Sequence, residues 1–223
     1  SETNKAQQTN ITRSQARSNI HNLGNNIWQM DFAQMWYVGM LFLVEFADWN
    51  GQTRIGYGCS QSGSKQNNGR TDSMQYHTGT TAANRTTYGF TQYRNIEGWW
   101  DNVYDWMDGC YYNSNGLNVI KNPAQFSDSA NGVLVGKPVS GYPKDFAIPT
   151  QDGLEWALYP SEAGGSTTTY VPNNWYYNAS DPCLFHGGYY YQYLGHGPFY
   201  VNHYSTSIQA SYVGCRLQER PPK

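Results

Sequence analysis

Residues 182–215 contain no Asp, Glu, Lys or Arg, yet they include seven tyrosines and three of the chain's five histidines. A segment this aromatic and uncharged is sticky, and a soluble protein normally hides it or interrupts it with charges. Asn, Ser, Thr and Gly are mixed among its aromatic residues, as in the contact loops of antibodies. The segment therefore predicts a binding surface near the C-terminus.

The overall composition argues against several classes of partner. The 223 residues carry 14 basic and 16 acidic side chains, and a net charge of −2 favours neither nucleic acid nor an anionic membrane surface. The most apolar run, residues 40–46, includes Glu45 and is shorter than the ~20 residues that a membrane helix needs. We therefore predict no nucleic-acid partner and no membrane insertion.

The four cysteines, Cys59, Cys110, Cys183 and Cys215, are far apart in the sequence and form no CxxC motif. This spacing argues against a structural zinc site. Up to two disulfides stay open, because spacing alone does not decide the pairing. We predict no cofactor and no bound metal.

The N-terminal third predicts two helices. Thr12 can cap a first helix that stops before Gly24 and presents Ala16, Ile20 and Leu23 on one side.

The second helix, FAQMWYVGMLFLVEFA, can be capped by Asp31. Its apolar residues run nearly all round, which predicts burial against a sheet. Gly39 within it would let another backbone come close.

Beyond Asn50 the sequence predicts turns and short strands. NGQTRIGYG reads as a turn and a strand, and residues 61–70 as a polar loop. Further strands are predicted at 133–135, 154–158 and 199–202. No repeat and no linker-like break interrupts the chain, so we expect one α+β unit.

Residues 95–109, NIEGWWDNVYDWMDG, resemble the G-N-V-W-E-W signature of the formylglycine-generating-enzyme branch of the C-type lectin fold. The matching residues are Asp101, Asn102, Val103, Tyr104, Asp105 and Trp106. That branch also carries R-G-G-S-W near its C-terminus and closes on G-F-R, for which this chain has HGGYY at 186–190 and GCRL at 214–217. The resemblance covers residues 12–217 and implies a C-type lectin fold with two N-terminal helices, short antiparallel strands and long loops.

Within that branch the chain is most similar to the variable proteins of diversity-generating retroelements, found in phage tail tips and on bacterial surfaces. In these proteins the stretch between the G-G motif and the terminal motif is diversified by mutagenesis at template adenines. Randomised AAC or AAT codons encode a set rich in Tyr, Asn, Ser, His and Asp that excludes Trp, Gln, Lys, Glu and Met. Ten residues fit that set and are the predicted ligand-binding residues: Tyr189, Tyr191, Tyr193, Leu194, His196, Tyr200, His203, Tyr204, Thr206 and Ser207.

Other residues of the stretch depart from this pattern or belong to the scaffold. Gln192 and Gln209 lie outside the set and would be fixed, and the absence of Asp is a further departure. On a strand, neighbouring side chains face opposite ways, so Tyr190 is predicted to pack inward. Phe199 and Val201 would share the inner strand face, with Tyr200 and Asn202 on the other.

The resemblance implies a non-enzymatic ligand-binding protein, either a phage tail receptor-binding protein or a surface-displayed one. Its partner would be a bacterial cell-surface protein or glycan, its location the virion or the bacterial surface, and its assembly a homotrimer or another symmetric array. The resemblance divides the chain into a leader or linker at 1–11, the binding domain at 12–217 with its variable region near 186–215, and a tail at 218–223.

Three other interpretations of the segment stay open. Tyr and Trp side chains with amide hydrogen bonds also suit sugars, which would make the chain a carbohydrate-binding lectin module. An oxidase like the formylglycine-generating enzymes would need a closely spaced cysteine pair, whereas Cys183 and Cys215 are 32 residues apart, and the related sulfoxide synthases need N-terminal histidines, of which only His21 is present. The segment could also be an aromatic-rich structural region.

Asp101, Asn102, Asp105 and Asp108 could together bind calcium, because hard cations prefer carboxylate and amide oxygens. The alternative, which we favour, is that Asn102 and Asp105 satisfy backbone groups around a tryptophan-rich loop.

His186, His196 and His203 could bind zinc, but their spacing fits loop contact residues better. Glu45 and Asp48 could be taken for glycosidase carboxylates. Their place at a helix end favours caps or ion partners instead.

Overall fold

The computed structural model describes residues 3–192 and 194–220. Helices account for 16% of the chain. They are α1 (Arg13–His21), α2 (Phe32–Phe46) and α3 (Gly51–Arg54), with 3₁₀ turns at Gly58–Gln61 and Pro123–Gln125. None of the helices in these residues has the length and apolar character needed to cross a membrane.

The strands are short and, in chain order, are β1 (Ile27–Gln29), β2 (Gly79–Thr80), β3 (Thr91–Tyr93), β4 (Ile96–Glu97), β5 (Tyr104–Trp106), β6 (Cys110–Asn113), β7 (Gly116–Val119), β8 (Val133–Gly136), β9 (Pro143–Ala147), β10 (Tyr159–Ala163), β11 (Cys183–Gly187), β12 (Gly197–Tyr204), β13 (Val213–Gly214) and β14 (Leu217–Glu219). They form a central sheet of order β12-β11-β5-β13 and smaller sheets β1-β14, β2-β3-β4, β6-β7-β8 and β9-β10. Neighbouring strands are antiparallel except β13, which runs parallel to β5. The predicted α+β class is confirmed.

Helix α1 begins with a reciprocal cap. The Thr12 hydroxyl accepts from the Gln15 amide at 3.2 Å, and the Gln15 side chain accepts from the Thr12 amide at 2.9 Å, which satisfies two amides that the helix leaves free. Ala16 and Ile20 are buried as predicted. The prediction for Leu23 is wrong: the helix ends at His21, and Leu23, in the following turn, is 66% exposed.

Helix α2 is capped by Asp31, whose carboxylate accepts from the Gln34 amide at 2.8 Å, as predicted. One side of the helix is buried through Phe32, Met35, Trp36 and Phe42. This side packs on β12 of the central sheet, as the prediction of burial against a sheet requires, and the opposite side is open. Its exposed apolar row has helical spacing and consists of Tyr37, Leu41 and Val44.

Gly39 makes the closest approach between α2 and the central sheet. A Cβ at this position would lie 2.7 Å from Cε1 of Phe199 in β12. Gly39 therefore admits an aromatic ring, and not a backbone as predicted. The ring of Phe199 is held there by Trp49, whose ring centre is 4.7 Å away, and by Phe42 at 6.3 Å.

The central sheet separates two apolar clusters. Phe199 and Val201 of β12 belong to the larger cluster beneath α2. Tyr200 belongs to the smaller cluster on the other side, together with Phe185, Tyr104 and others. Successive side chains of a strand face opposite ways. The division of Phe199 and Val201 from Tyr200 between the two clusters confirms the alternation predicted for β12.

Two predicted strands are absent and two are confirmed. Residues 50–58 form α3 and a 3₁₀ turn, because the Asn50 side chain caps the Thr53 amide at 3.0 Å. Residues 154–158 form turns, in which the Ala157 amide donates to the Leu154 carbonyl. The strands predicted at 133–135 and 199–202 lie within β8 and β12.

Residues on both sides of the predicted 12–217 unit contact it. The Asn10 amide donates to the Ala210 carbonyl, and Thr9 forms a β-bridge with Gly214. At the other end, β14 pairs with β1, and the Gln218 side chain donates to the Gln29 carbonyl at 2.9 Å.

Replacing Gly39 with Ala should lower the free energy of unfolding by about 1–2 kcal/mol. The added methyl overlaps a ring that its neighbours prevent from moving, and better helix propensity offsets only about 1 kcal/mol of the cost. Urea denaturation measures the change. The control is Val44→Ala on the open side of α2, whose free energy of unfolding should stay within about 0.5 kcal/mol of the parent value. A stabilised Gly39→Ala protein would contradict the close approach.

Candidate ligand-binding surface

The motifs that bracket the candidate segment meet in the central sheet. Asp105 of β5 lies opposite His186 of β11 on one side and Gly214 of β13 on the other. Two loops join the strands of the segment: residues 188–196 connect β11 to β12, and residues 205–212 connect β12 to β13. We call these the binding loops. The sheet therefore holds both ends of each loop.

A buried ion pair fastens the end of the segment. Arg216 Nε donates to Asp105 Oδ2 at 3.0 Å, and its two terminal nitrogens donate to the carbonyls of Glu97 at 2.9 Å and Gly98 at 3.0 Å. Burial raises the pKa of the Asp105 carboxyl, and the Arg216 charge opposes that rise. The pair thus connects the chain beyond β13 to the turn before β5.

Asp101 and Asn102 have structural partners. Asp101 Oδ2 accepts from the Thr91 hydroxyl at 2.7 Å and the Cys59 amide at 3.1 Å, and burial raises its pKa to about 6. Asn102, at a positive φ of 69°, bonds both the amide and the carbonyl of Gln66.

Asp105 and Asp108 also have partners. Asp105 accepts from Arg216, as described above, and Asp108 accepts from Arg17 at 2.7 and 2.9 Å. In the part of the chain that the structure describes, no group of three or more His, Cys, Asp or Glu side chains could hold a metal ion. The geometry thus favours structural hydrogen bonds at these residues over a calcium site. Asn102 bonds backbone groups as predicted, whereas Asp105 binds a guanidinium and not backbone.

Two predicted contact residues, His196 and Tyr200, lie inside the domain. They are 6% and 2% exposed. The Tyr200 ring stacks on Tyr104 with ring centres 5.6 Å apart, and His196 Nε2 lies 3.3 Å from the Tyr104 hydroxyl. Tyr104 also donates to the Gln192 side chain, and Tyr200 accepts from Asn202 at 2.8 Å. These side chains form a hydrogen-bonded layer beneath the first binding loop, and burial lowers the pKa of His196 to about 4.

Other predicted residues reach the surface. Tyr191 is 60% exposed and Leu194 is 52% exposed in the first binding loop, and Thr206 and Ser207 are exposed in the second. Tyr193 lies outside the described residues. The exposed members therefore occupy both binding loops.

Three predicted residues are partly buried. Tyr189 packs against Tyr104 and Tyr212, each with ring centres 5.1 Å away. Tyr204 shares a 2.8 Å hydroxyl hydrogen bond with Tyr212. His203 lies 3.3 Å from Asp181, and burial lowers its pKa against the opposing effect of that carboxylate.

Tyr190, predicted for the core, is only half-buried. Tyr189 packs against the smaller cluster instead. The chain leaves strand geometry after Gly187, so the alternation that placed Tyr190 inward no longer applies.

The three histidines of the segment occupy separate environments, which disfavours a shared zinc site. His186 is fully buried beside Trp99, with ring centres 4.7 Å apart, and neither ring nitrogen has a hydrogen-bond partner among the described residues. Burial lowers its pKa to about 3. His196 bonds within the tyrosine layer and His203 faces Asp181, as described above.

The residues that an enzyme could use are the cysteines and the carboxylates Glu45 and Asp48. All four cysteines are free thiols, and burial raises the pKa of Cys183 to about 11 and of Cys215 to about 12, so both are poor nucleophiles and metal ligands near neutral pH. Glu45 pairs with Arg94 at 3.0 Å and Asp48 with Arg54 at 2.6 Å, as ion partners.

Sequence reasoning missed the structural role of Tyr104 and Tyr212. Tyr104 was matched to a motif position, but its ring lies under the first binding loop and contacts both Tyr189 and Tyr200. Tyr212, just before β13, completes the layer through Tyr204. One feature of the sequence could have indicated this role. Tyr104 directly precedes Asp105, and neighbouring side chains on a strand face opposite ways, so the Tyr104 side chain lies on the face of β5 opposite to that of Asp105.

Replacing Arg216 with Gln should destabilise the domain by about 3 kcal/mol at pH 7.5, because it leaves the Asp105 charge buried without a partner. The loss should shrink at pH 5, where a carboxyl with a raised pKa takes up a proton and becomes neutral. Urea denaturation at both pH values measures it. Arg94→Gln, which breaks an exposed ion pair, is the matched control and should change stability far less. Equal effects of the two variants would show that the buried pair has no special role.

Replacing His186 with Leu should leave stability unchanged or raise it by about 1 kcal/mol at pH 7, since two unpartnered polar atoms leave the core. The folded-state pKa of His186 lies below that of the unfolded chain, so the unfolded chain binds more protons below about pH 6.5 and the parent loses stability as pH falls. The advantage of the variant should therefore grow by about 1 kcal/mol per pH unit between pH 6 and 4.5. A strongly destabilised His186→Leu protein would mean that His186 has a partner.

No model of a protein family matches the chain, and no curated protein matches it. What it binds is therefore a proposal drawn from its own residues.

Proposed function

We propose that this chain is a non-enzymatic ligand-binding protein with a C-type lectin fold of the formylglycine-generating-enzyme branch, diversified by a retroelement. Its partner is a bacterial cell-surface protein or glycan, and its carrier is a phage tail or a bacterial surface. The contact surface consists of the exposed side chains of the two binding loops, residues 188–196 and 205–212.

One observation carries this proposal. The residues that adenine mutagenesis can reach lie on and beside two loops whose ends belong to one sheet, β12-β11-β5-β13. Arg216 lies outside both loops and bonds Asp105 of that sheet as well as the carbonyls of Glu97 and Gly98 before β5. Because the fold is held from outside the loops, exposed loop residues can change with little effect on stability.

The chemistry of the exposed residues suits broad recognition. Tyr191 offers a large amphipathic surface with few rotatable bonds, and ordering it costs less entropy than ordering Lys or Glu. Leu194 adds apolar area, and the hydroxyls of Thr206 and Ser207 adapt to different hydrogen-bond partners. A small surface of this kind binds weakly, so several copies on one particle would supply the strength.

The buried members of the predicted set support the surface. His196 and Tyr200 are too buried to touch a ligand, and they hold the first binding loop through Tyr104. We therefore restrict direct contact to the exposed residues, with Tyr189, His203 and Tyr204 at the margin. The free, protonated thiols of Cys183 and Cys215 disfavour the oxidase alternative.

The encoding locus gives the decisive test of diversification. We expect a near-copy of the segment coding for residues 187–216, differing from it only where the copy has adenine, beside a reverse transcriptase gene. A locus with neither feature would rule out the retroelement part of the proposal.

Binding variants test the surface itself. The labelled parent protein is first tested against a panel of intact bacterial strains to find one that it binds. Tyr191→Ala combined with Leu194→Ala should reduce binding to that strain by about tenfold or more, as expected for an aromatic anchor. The melting temperature should stay within a few degrees. Tyr76→Ala, another exposed tyrosine outside the segment, is the matched control and should bind like the parent.

Tyr200→Ala separates support from contact, since removing a buried ring should cost about 3 kcal/mol of stability. If the Tyr191 and Leu194 changes destabilise the domain as strongly as Tyr200→Ala does, the segment is structural. Binding to a glycan array, abolished by the same two surface changes, would identify the carbohydrate-binding alternative.

A further inference from the structure

A cleft of about 370 Å³ lies at the start of α2, and none of its lining residues belongs to the segment 182–215. Its volume is within the range of sites for small molecules. Buried apolar side chains line it, namely Phe32, Ile120 and Leu154. Aromatic rings line it as well, and the Trp156 ring lies 5.8 Å from that of Tyr37 and 5.9 Å from that of Phe32.

The charged residues of the cleft leave a positive excess. Asp31 is the one carboxylate among the lining residues, and it accepts from the Gln34 amide at 2.8 Å, from the Gln218 side chain at 2.8 Å and from Arg220. Arg220 thus compensates the charge of Asp31. Lys121 also lines the cleft, and its one bond within the described part of the chain is to a neutral backbone carbonyl, that of Asp152. Among the described lining residues, two cations and one carboxylate give a net charge of +1.

The first turn of α2 adds a backbone donor. The Phe32 amide donates to the Asp108 carbonyl, and the amides of Gln34 and Met35 donate to Asp31. The Ala33 amide has no acceptor among the described residues, and Ala33 lines the cleft. A free amide in the first turn of a 15-residue helix favours an anionic group, because the helix dipole places partial positive charge there.

We propose that this cleft binds a small aromatic carboxylate. The Ala33 amide, Lys121 and Arg220, which all line the cleft, would supply the donors for the carboxylate group. The ring fits against Trp156 and the buried apolar lining. The site is separate from the binding loops and does not depend on what they bind.

Titration calorimetry with matched probes at low salt tests the proposal. 2-Naphthylacetate should bind with a Kd on the order of 0.1–1 mM, the range expected for a ligand of this size. 2-Naphthylacetamide, which has nearly the same shape without the charge, should bind at least about fivefold more weakly. Lys121→Gln should weaken the carboxylate by about two- to fivefold, as loss of one exposed charge contact would, and leave the amide unchanged.

Further variants keep the outcome clear. Trp156→Leu should weaken both probes, and Arg220→Gln should weaken only the carboxylate, with circular dichroism confirming that each variant is folded. Lys144→Gln, which removes an exposed cation that pairs with Glu162 outside the cleft, should change neither affinity, and Tyr191→Ala should not either. The proposal is overturned if neither probe binds, if the amide binds as tightly as the carboxylate, or if Lys121→Gln and Lys144→Gln behave alike.

Discussion

The domain depends on keeping one buried carboxylate, that of Asp105, paired. A charge in the middle of a sheet is costly unless a partner compensates it, and Arg216 does so while also binding the carbonyls of Glu97 and Gly98. Arg216 lies beyond both binding loops in the sequence, so its pairing with Asp105 closes the stretch of chain that contains both loops. The interaction that fastens the sheet therefore belongs to neither loop.

Aromatic residues serve two different purposes on the two sides of the central sheet. Beneath α2, Phe199 packs against the rings of Phe42 and Trp49. On the other side, Tyr104, Tyr200 and His196 bring polar atoms into the interior and bond them to one another. A layer of this kind tolerates no missing member, because an unpartnered buried polar atom is expensive. His186, which lies between Asp105 and Val201 in register, has no hydrogen-bond partner among the described residues, and neither do the indole nitrogens of Trp36 and Trp99.

The sequence predicted best where local chemistry decides the structure. Thr12 and Asp31 cap helices because their side chains bond amides three residues away, and β12 shows the period-2 pattern of its apolar residues. It failed where distant contacts decide. Residues 154–158 are apolar enough for a strand but fold as turns, and the burial of His196 depends on Tyr104, 92 residues earlier in the chain. Pairing of Asp105 with Arg216 is equally non-local, so neither motif alone could predict it.

The burial of His196 and Tyr200 limits how many different surfaces a diversified segment could present. If both positions were randomised with the others, most substitutions there would break the layer formed with Tyr104, and those copies would be lost to misfolding before they met a target. Useful variety would then come from the exposed positions alone. A template that lacks adenine at codons 196 and 200 would yield a smaller repertoire on paper, but a larger fraction of its members would fold.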